Sequence, residues 1–287
     1  MSVSRRHLVG SRSGLSLAGC LTLSLTVGSG SAQMKRSCQE IETFMLTAKM
    51  RVLRAPAAVA DDGTTQHRVF FHTSDDTYRD SANRDTWKAN VAAYELTKIL
   101  DVYIMPPYVE TTVEGKAGSV SWGLDDVMMD EVQRNERNLQ PPDVEAWNKQ
   151  MHVVRVFDEL VYHGRAPSDL LITKDWQLWI IGPSQAFRPS RTLQNPGNLV
   201  MCDRKLLSKI RMLDQGILMR RLGNWLNKEE IEALHARATL IVDVFDREVA
   251  ARRGRRAVRS GPKRHIMRLL ATSPHVQDRL AETLRKH

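Results

Sequence analysis

The chain has 287 residues and a mass of 32.6 kDa, with 42% hydrophobic and 26% charged residues. That is room for two small domains or one two-lobed domain, and it excludes fibrous, low-complexity and wholly disordered classes. The net charge of +9 sits at the ends: residues 251–287 carry 11 Lys/Arg against 2 Asp/Glu, and residues 1–33 carry Arg5, Arg6 and Arg12 with no acid. Residues 34–250 hold 28 basic and 31 acidic side chains, so no specific nucleic-acid contact is expected of the body.

In chain order, the Arg-containing head precedes an uncharged run over 14–27 and the small residues Gly28–Ala32. That is the layout of a secretory signal, with cleavage expected near Ala32 and an extracytoplasmic mature chain. The run is too short and too rich in Ser and Thr to span a membrane. Leu17-Ala-Gly-Cys20 also has the form of a bacterial lipobox, and a cytosolic chain with a disordered head is the plainer alternative. Without residues 1–32 the cysteines are Cys38 and Cys202, which allow one disulfide or two unpaired thiols and have no metal-ligand spacing. Residues 33–65 read as an N-terminal segment and the start of a small lobe.

Val69–Phe71 is a short strand candidate after the Asp62-Gly63 turn. Asp85 is the expected cap of a helix bearing Trp87, Val91, Tyr94 and Leu96–Leu100 at helical spacing. In the hairpin that follows, Val102–Val113 alternates around Pro106-Pro107, Glu114–Gly118 turns and Ser119–Leu124 returns. Asp143 caps a second helix with Trp147, Met151, Val154, Phe157 and Val161 on one side. Leu170–Thr173 and Gln177–Ile181 read as strands joined by Lys174-Asp175. The remainder to about Arg253 reads as helical, with Asn227 and Glu230 spaced as a capping pair. This order describes an α+β chain with a small mixed β/α N-lobe over 66–124 and a larger, mostly helical C-lobe over 125–253. Tyr94, Trp122, Trp147, Phe157, Trp176 and Trp179 read as core or lobe-interface packing. Residues 254–287 form a basic tail broken at Pro262 and Pro274. The tail reads as solvated; alternatively, the charge of residues 252–286 suits contact with anionic lipid head groups or nucleic-acid phosphates.

No CxxC pair, HExxH, P-loop, GxGxxG or GxSxG occurs, and the nine His are scattered. A hydrolase or metalloenzyme reading therefore has no positive support.

Two segments carry a resemblance. Trp87-Lys-Ala-Asn-Val-Ala-Ala-Tyr-Glu-Leu-Thr-Lys-Ile-Leu100, followed by Ile104-Met-Pro-Pro-Tyr-Val-Glu110, resembles the "yEvAAYeLdklLgl…vPptVe" segment of a bacterial group of atypical kinases. That group is related to the HipA-like kinases, the phosphatidylinositol kinases and the secretory-pathway casein kinases. Trp147–Met151, Val156–Leu160, Gly164–Ile172 and Trp176–Phe187 resemble its "W..Q…vFD.LigN.DRn.gNiLi…W.lwlIDHsraF" pattern. Val200–Leu206 fits the helices that follow, so the resemblance covers roughly residues 66–250. It implies a two-lobed, protein-kinase-like fold.

Phosphoryl transfer needs cations on the phosphates, carboxylates on the metal and a carboxylate on the attacking hydroxyl. By the resemblance, the strand Lys that grips phosphate falls on His72 and its helix Glu partner on Asn90. The catalytic Asp falls on Gly164, the metal-binding Asn on Asp169 and the metal-binding Asp on Gly182. Arg51–Ala60, where a glycine-rich segment belongs, contains no Gly. Asp169 is thus the one residue of the five left to bind a cation, and one carboxylate is a poor Mg²⁺ site.

The expectation is a secreted pseudokinase, a kinase-fold scaffold that binds a protein partner, transfers no phosphate and takes no cofactor. The alternative is an active atypical phosphotransferase using ATP with Mg²⁺, with its missing groups drawn from Asp158, Asp169 or Glu110. A third reading is a decayed gene product without a current role.

Overall fold

The computed structural model describes residues 37–77 and 84–259, all within the unit Ala32–His287. The expected signal, its cleavage near Ala32 and most of the basic tail, from residue 260 on, lie outside the described residues.

The N-terminal segment is built into the small lobe. Helix α1 (Cys38–Thr47) starts in a capping box: the Ser37 hydroxyl accepts from the Glu40 amide at 3.2 Å, and the Ser37 amide donates to the Glu40 carboxylate at 2.6 Å. Strands β1 (Lys49–Arg54) and β2 (Ala57–Asp61) form a hairpin that turns at Ala55-Pro56, over the stretch that sequence reading left without strands. Next comes β3 (Gln66–His72), which runs three residues before and one residue past the strand candidate because its polar ends alternate out of the core. The expected hairpin is present as β6 (Tyr108–Val113) and β7 (Lys116–Trp122). These five strands form one antiparallel sheet in the order β1-β2-β3-β7-β6.

Period-two alternation sorts the sheet's two faces. Ala58, Ala60, Val69, Phe71, Val109, Val113, Val120 and Trp122 bury themselves against Ile41, Phe44 and Met45 of α1. His72 pairs with Ser119 and Tyr108 with Ser121 in register, so these four share the opposite face.

Between β3 and β6 lie the two-residue strands β4 (Asp75–Asp76) and β5 (Asp85–Thr86), paired to each other, and then α2 (Trp87–Leu100). The cap of α2 is Thr86, not Asp85: the Thr86 hydroxyl accepts from the Lys88 amide at 3.2 Å, while the Asp85 carboxylate lies 3.1 Å from His72 Nε2. Ala89, Ala92, Ala93, Leu96 and Leu100 of α2 join the larger core.

That core is assembled by the second lobe. It contains β8 (Val127–Asp130), α3 (Glu131–Glu136), α4 (Val144–Val161), β9 (Leu170–Thr173) and β10 (Leu178–Ile180). The strands pair antiparallel in the order β10-β9-β8. Asp143 caps α4 as expected, accepting from the Ala146 amide at 2.9 Å. Residues 182–203 hold no α-helix, contrary to the helical expectation. Pro183, Pro189 and Pro196, with Gly182 and Gly197, remove the donors and the restraint a helix needs there. Helices resume as α5 (Arg204–Arg211), α6 (Gln215–Leu222) and α7 (Lys228–Arg259). Asn227 and Glu230 cap α7 reciprocally, at 3.0 and 2.9 Å.

Tyr94, Trp122, Trp147, Phe157 and Trp179 are buried, and Trp176 packs edge-on to Trp147 with ring centres 5.9 Å apart. Cys38 and Cys202 are both free thiols. Among the described residues no helix is long and apolar enough to cross a membrane.

Candidate functional site

The five positions singled out by the resemblance fall on β3, α2 and the two loops around β9 and β10. His72 ends β3 on the face away from α1, and its ring meets Asp85. Burial raises the Asp85 carboxyl, but hydrogen bonds from Ser184, the charge of His72 and a bond from Ser74 outweigh it. The net result is a pKa below the ordinary carboxylate range. The Thr86 amide also donates to the Ser184 carbonyl at 3.0 Å, so the start of α2 is tied to the segment just after Gly182.

Asn90 is 2% exposed on α2, and its Nδ2 donates to Ser119 Oγ at 3.1 Å. Ser119 is the register partner of His72. Asn90 and His72 therefore meet neighbouring atoms of the same sheet face, each beside a different residue: Ser119 for Asn90, Asp85 for His72. Asn90 Oδ1 is buried with no donor among the described residues.

On the second lobe, α4 ends at Val161 and Tyr162 takes a left-handed conformation, φ 55°. Arg165 then folds back so that its Nε donates to Asp158 Oδ2 at 3.1 Å, with His163 Nδ1 at 3.5 Å from Asp158 Oδ1. Gly164, between them, is exposed, and a Cβ built there meets only Gln194 Oε1, at 3.6 Å. A one-turn 3₁₀ helix, Pro167–Asp169, delivers Asp169 to the start of β9. The Asp169 carbonyl accepts from the Ile181 amide at 2.9 Å, which sets Gly182 beside it. Gly182 has φ +59°, a conformation that costs a residue with a Cβ.

Tyr108 completes the arrangement, and sequence reading did not single it out as a site residue. It leaves β6 on the same face as His72, and its hydroxyl accepts from the Gly182 amide at 3.0 Å. Burial pushes the hydroxyl's pKa up to about 12 and the Asp169 charge adds to that, while the Gly182 amide and Ser121 act the other way. Nothing local marks a tyrosine as the partner of a glycine amide 74 residues further on.

Two further buried charges escaped sequence reading. Glu159 is 4% exposed and accepts from the amides of Gln194 and Asn195 at 2.7 and 2.8 Å. Arg237 is 0% exposed; it donates to the carbonyls of Leu160 (2.8 Å), Arg188 (3.2 Å) and Ser190. Burial lowers its pKa to about 10. Together they fix residues 188–195, a stretch with no helix to hold it.

The donor set is poor in what phosphoryl transfer uses. Gly164 and Gly182 offer no side chain, and the Gly182 amide is spent on Tyr108. Asp158 is engaged by Arg165, and Glu110 accepts from Trp225 Nε1 at 2.8 Å. That leaves Asp169 of the three acids considered for an active enzyme. Among the described residues, no three His, Cys, Asp or Glu are grouped so as to hold a metal ion. The β1–β2 turn is Ala55-Pro56, and Pro56 has no amide to offer a phosphate. These residues do not fit a Mg²⁺–nucleotide complex.

No protein-family model matches the sequence, and no curated protein matches it. Among solved structures, the chain is similar to hydra Fam20, determined with sugar: TM-score 0.51, 12% identity, over 73% of this chain and 88% of that one. It is also similar to the Golgi casein kinase (TM-score 0.47, 9% identity, 72% of this chain and 74% of that one). A third similar structure is CtkA, a proinflammatory kinase of Helicobacter pylori (TM-score 0.41, 11% identity, 70% and 95%). The likeness to hydra Fam20 and the two-lobed arrangement of sheets and helices show a kinase-like α+β fold.

Proposed function

We propose that the chain is a secreted pseudokinase: a kinase-fold scaffold that transfers no phosphate and acts by binding a protein partner. His72, Asn90, Gly164, Asp169 and Gly182 are its substituted kinase positions. The observation that carries the reading is the Tyr108–Gly182 contact. Where metal chemistry calls for a carboxylate, there is a glycine whose amide is held at 3.0 Å by a buried phenol. The His72–Asp85 and Asn90–Ser119 contacts support it, because each substituted side chain has a neighbour of its own. Export rests on the Arg-rich head, the uncharged run over 14–27 and the small residues up to Ala32.

The test is melting of the purified protein with ATP, ADP or GTP, each with and without Mg²⁺ or Mn²⁺. A ligand that binds the native state raises its melting temperature by mass action. The expected result is no increment that requires the metal. A metal-dependent increment that Asp169→Ala abolishes would restore the active-phosphotransferase reading.

A further inference from the structure

A cavity of about 1050 Å³ lies where the start of α2, the loop after Gly182 and the start of α7 come together. It shares no lining residue with the five substituted kinase positions. Four cationic side chains line it: Arg84, Lys88, Arg188 and Lys228. The acids on its wall are Glu229 and Glu230, so the lining is net positive.

The cations are unequally matched. Arg84 is 6% exposed and its Nη1 is paired with Glu230, while its Nε is buried with no acceptor among the described residues. Arg188 Nε is likewise buried without an acceptor, and Arg188 is in no ion pair among the described residues. Lys88 faces Asp75 at 2.7 Å at the cavity rim. Lys228, whose side chain is 80% exposed, has Glu232 only at 3.9 Å. Helix α7 adds its own polarity. Its capping box uses the amides of Asn227 and Glu230, and the amides of Lys228 and Glu229 remain at the positive end of a 32-residue helix.

Four cationic side chains, one of them the nearly buried Arg84, and a helix start therefore border one polar cavity from different sides. A carboxylate has two oxygens and satisfies one fork. A tetrahedral oxyanion has three or four and satisfies donors arriving from several directions. We infer that this cavity is a binding site for a phosphate group, free or carried as the ester of a small molecule.

Isothermal titration calorimetry on the purified protein tests this, with sodium phosphate, glucose 6-phosphate, glucose and sodium acetate at constant ionic strength. Phosphate and glucose 6-phosphate should bind, without any divalent metal, while glucose and acetate should not. Tighter binding of glucose 6-phosphate assigns the site to phosphate esters, and equal binding to free phosphate; either sustains the inference. Lys228→Gln and Arg188→Gln should each weaken binding on the order of tenfold. Lys228 is exposed enough that its loss leaves the fold intact, so the result stands even if an Arg84 variant, stripped of its buried partner, fails to fold. No binding of either phosphate, or binding unchanged in both variants, overturns the site. Because the readout needs no metal and no transfer, it is independent of whether the chain is a kinase.

Discussion

Gly164 and Gly182 are both glycines at expected carboxylate positions, but their backbones set different limits. At Gly164 a new Cβ meets nothing closer than 3.6 Å, so Gly164→Asp should change stability by less than about 0.5 kcal/mol. It should also leave transfer at background, because catalytic parts act as a unit and the metal position is still empty of carboxylate. At Gly182 the space is open but φ is +59°, so Gly182→Asp should cost about 1 kcal/mol in chemical denaturation. Equal costs at the two sites would mean that backbone conformation is not what separates them. Asp85 gives a pH test at the same scale. Its folded pKa is depressed, so its contribution is complete above about pH 4, the unfolded value, and is lost as pH falls through the folded value. The stability gap between the wild type and Asp85→Asn should therefore shrink from pH 5 to pH 2.5. A gap that stays constant would show that the carboxylate charge is not what His72 and Ser184 recognise.

Helices α2 and α4 were legible because each has a polar cap and a repeating apolar face. Even so, the sequence puts the cap of α2 one residue early, since Asp85 and Thr86 both belong to types that cap helices and Asp85 is taken by His72, Ser184 and Ser74 instead. The β1–β2 hairpin was illegible: Ala57, Ala58 and Ala60 have little strand propensity, and the strand forms because β3 is there to pair with it. The stretch 182–203 reads as helical from the sequence although its prolines argue otherwise. What orders it is buried charge from α4 and α7, which no local pattern reveals. Glu159→Ala leaves two part-buried amides without acceptors and should destabilise the protein by about 1–3 kcal/mol in urea. Glu159→Gln, which keeps one acceptor oxygen, should recover part of that. A loss below about 0.5 kcal/mol would mean that residues 188–195 are held by something else.

Two cores complete the described molecule. One is the five-stranded sheet with α1, and the other gathers α2 with the second lobe and closes on Ile241 and Phe245 of α7. Among the described residues, neither reaches past Phe245. Truncation after Arg259 should therefore leave the melting temperature within about 2 °C, and a larger fall would place part of the tail in the folded body. The five substituted positions were legible through the resemblance because apolar neighbours such as Leu170–Ile172 and Trp179–Ile181 fix their register. The Tyr108–Gly182 contact was not, because it joins β6 to the loop after β10, 74 residues on.

The central claim concerns chemistry, and phosphate transfer itself tests it most directly. The purified protein is incubated with γ-labelled ATP, Mg²⁺ or Mn²⁺, and generic acceptors including itself, beside Asp169→Ala made in the same way. The account predicts label at the no-protein background for both. Incorporation that depends on the protein and disappears in Asp169→Ala would contradict it, and would make Asp169 the metal carboxylate of a working transferase.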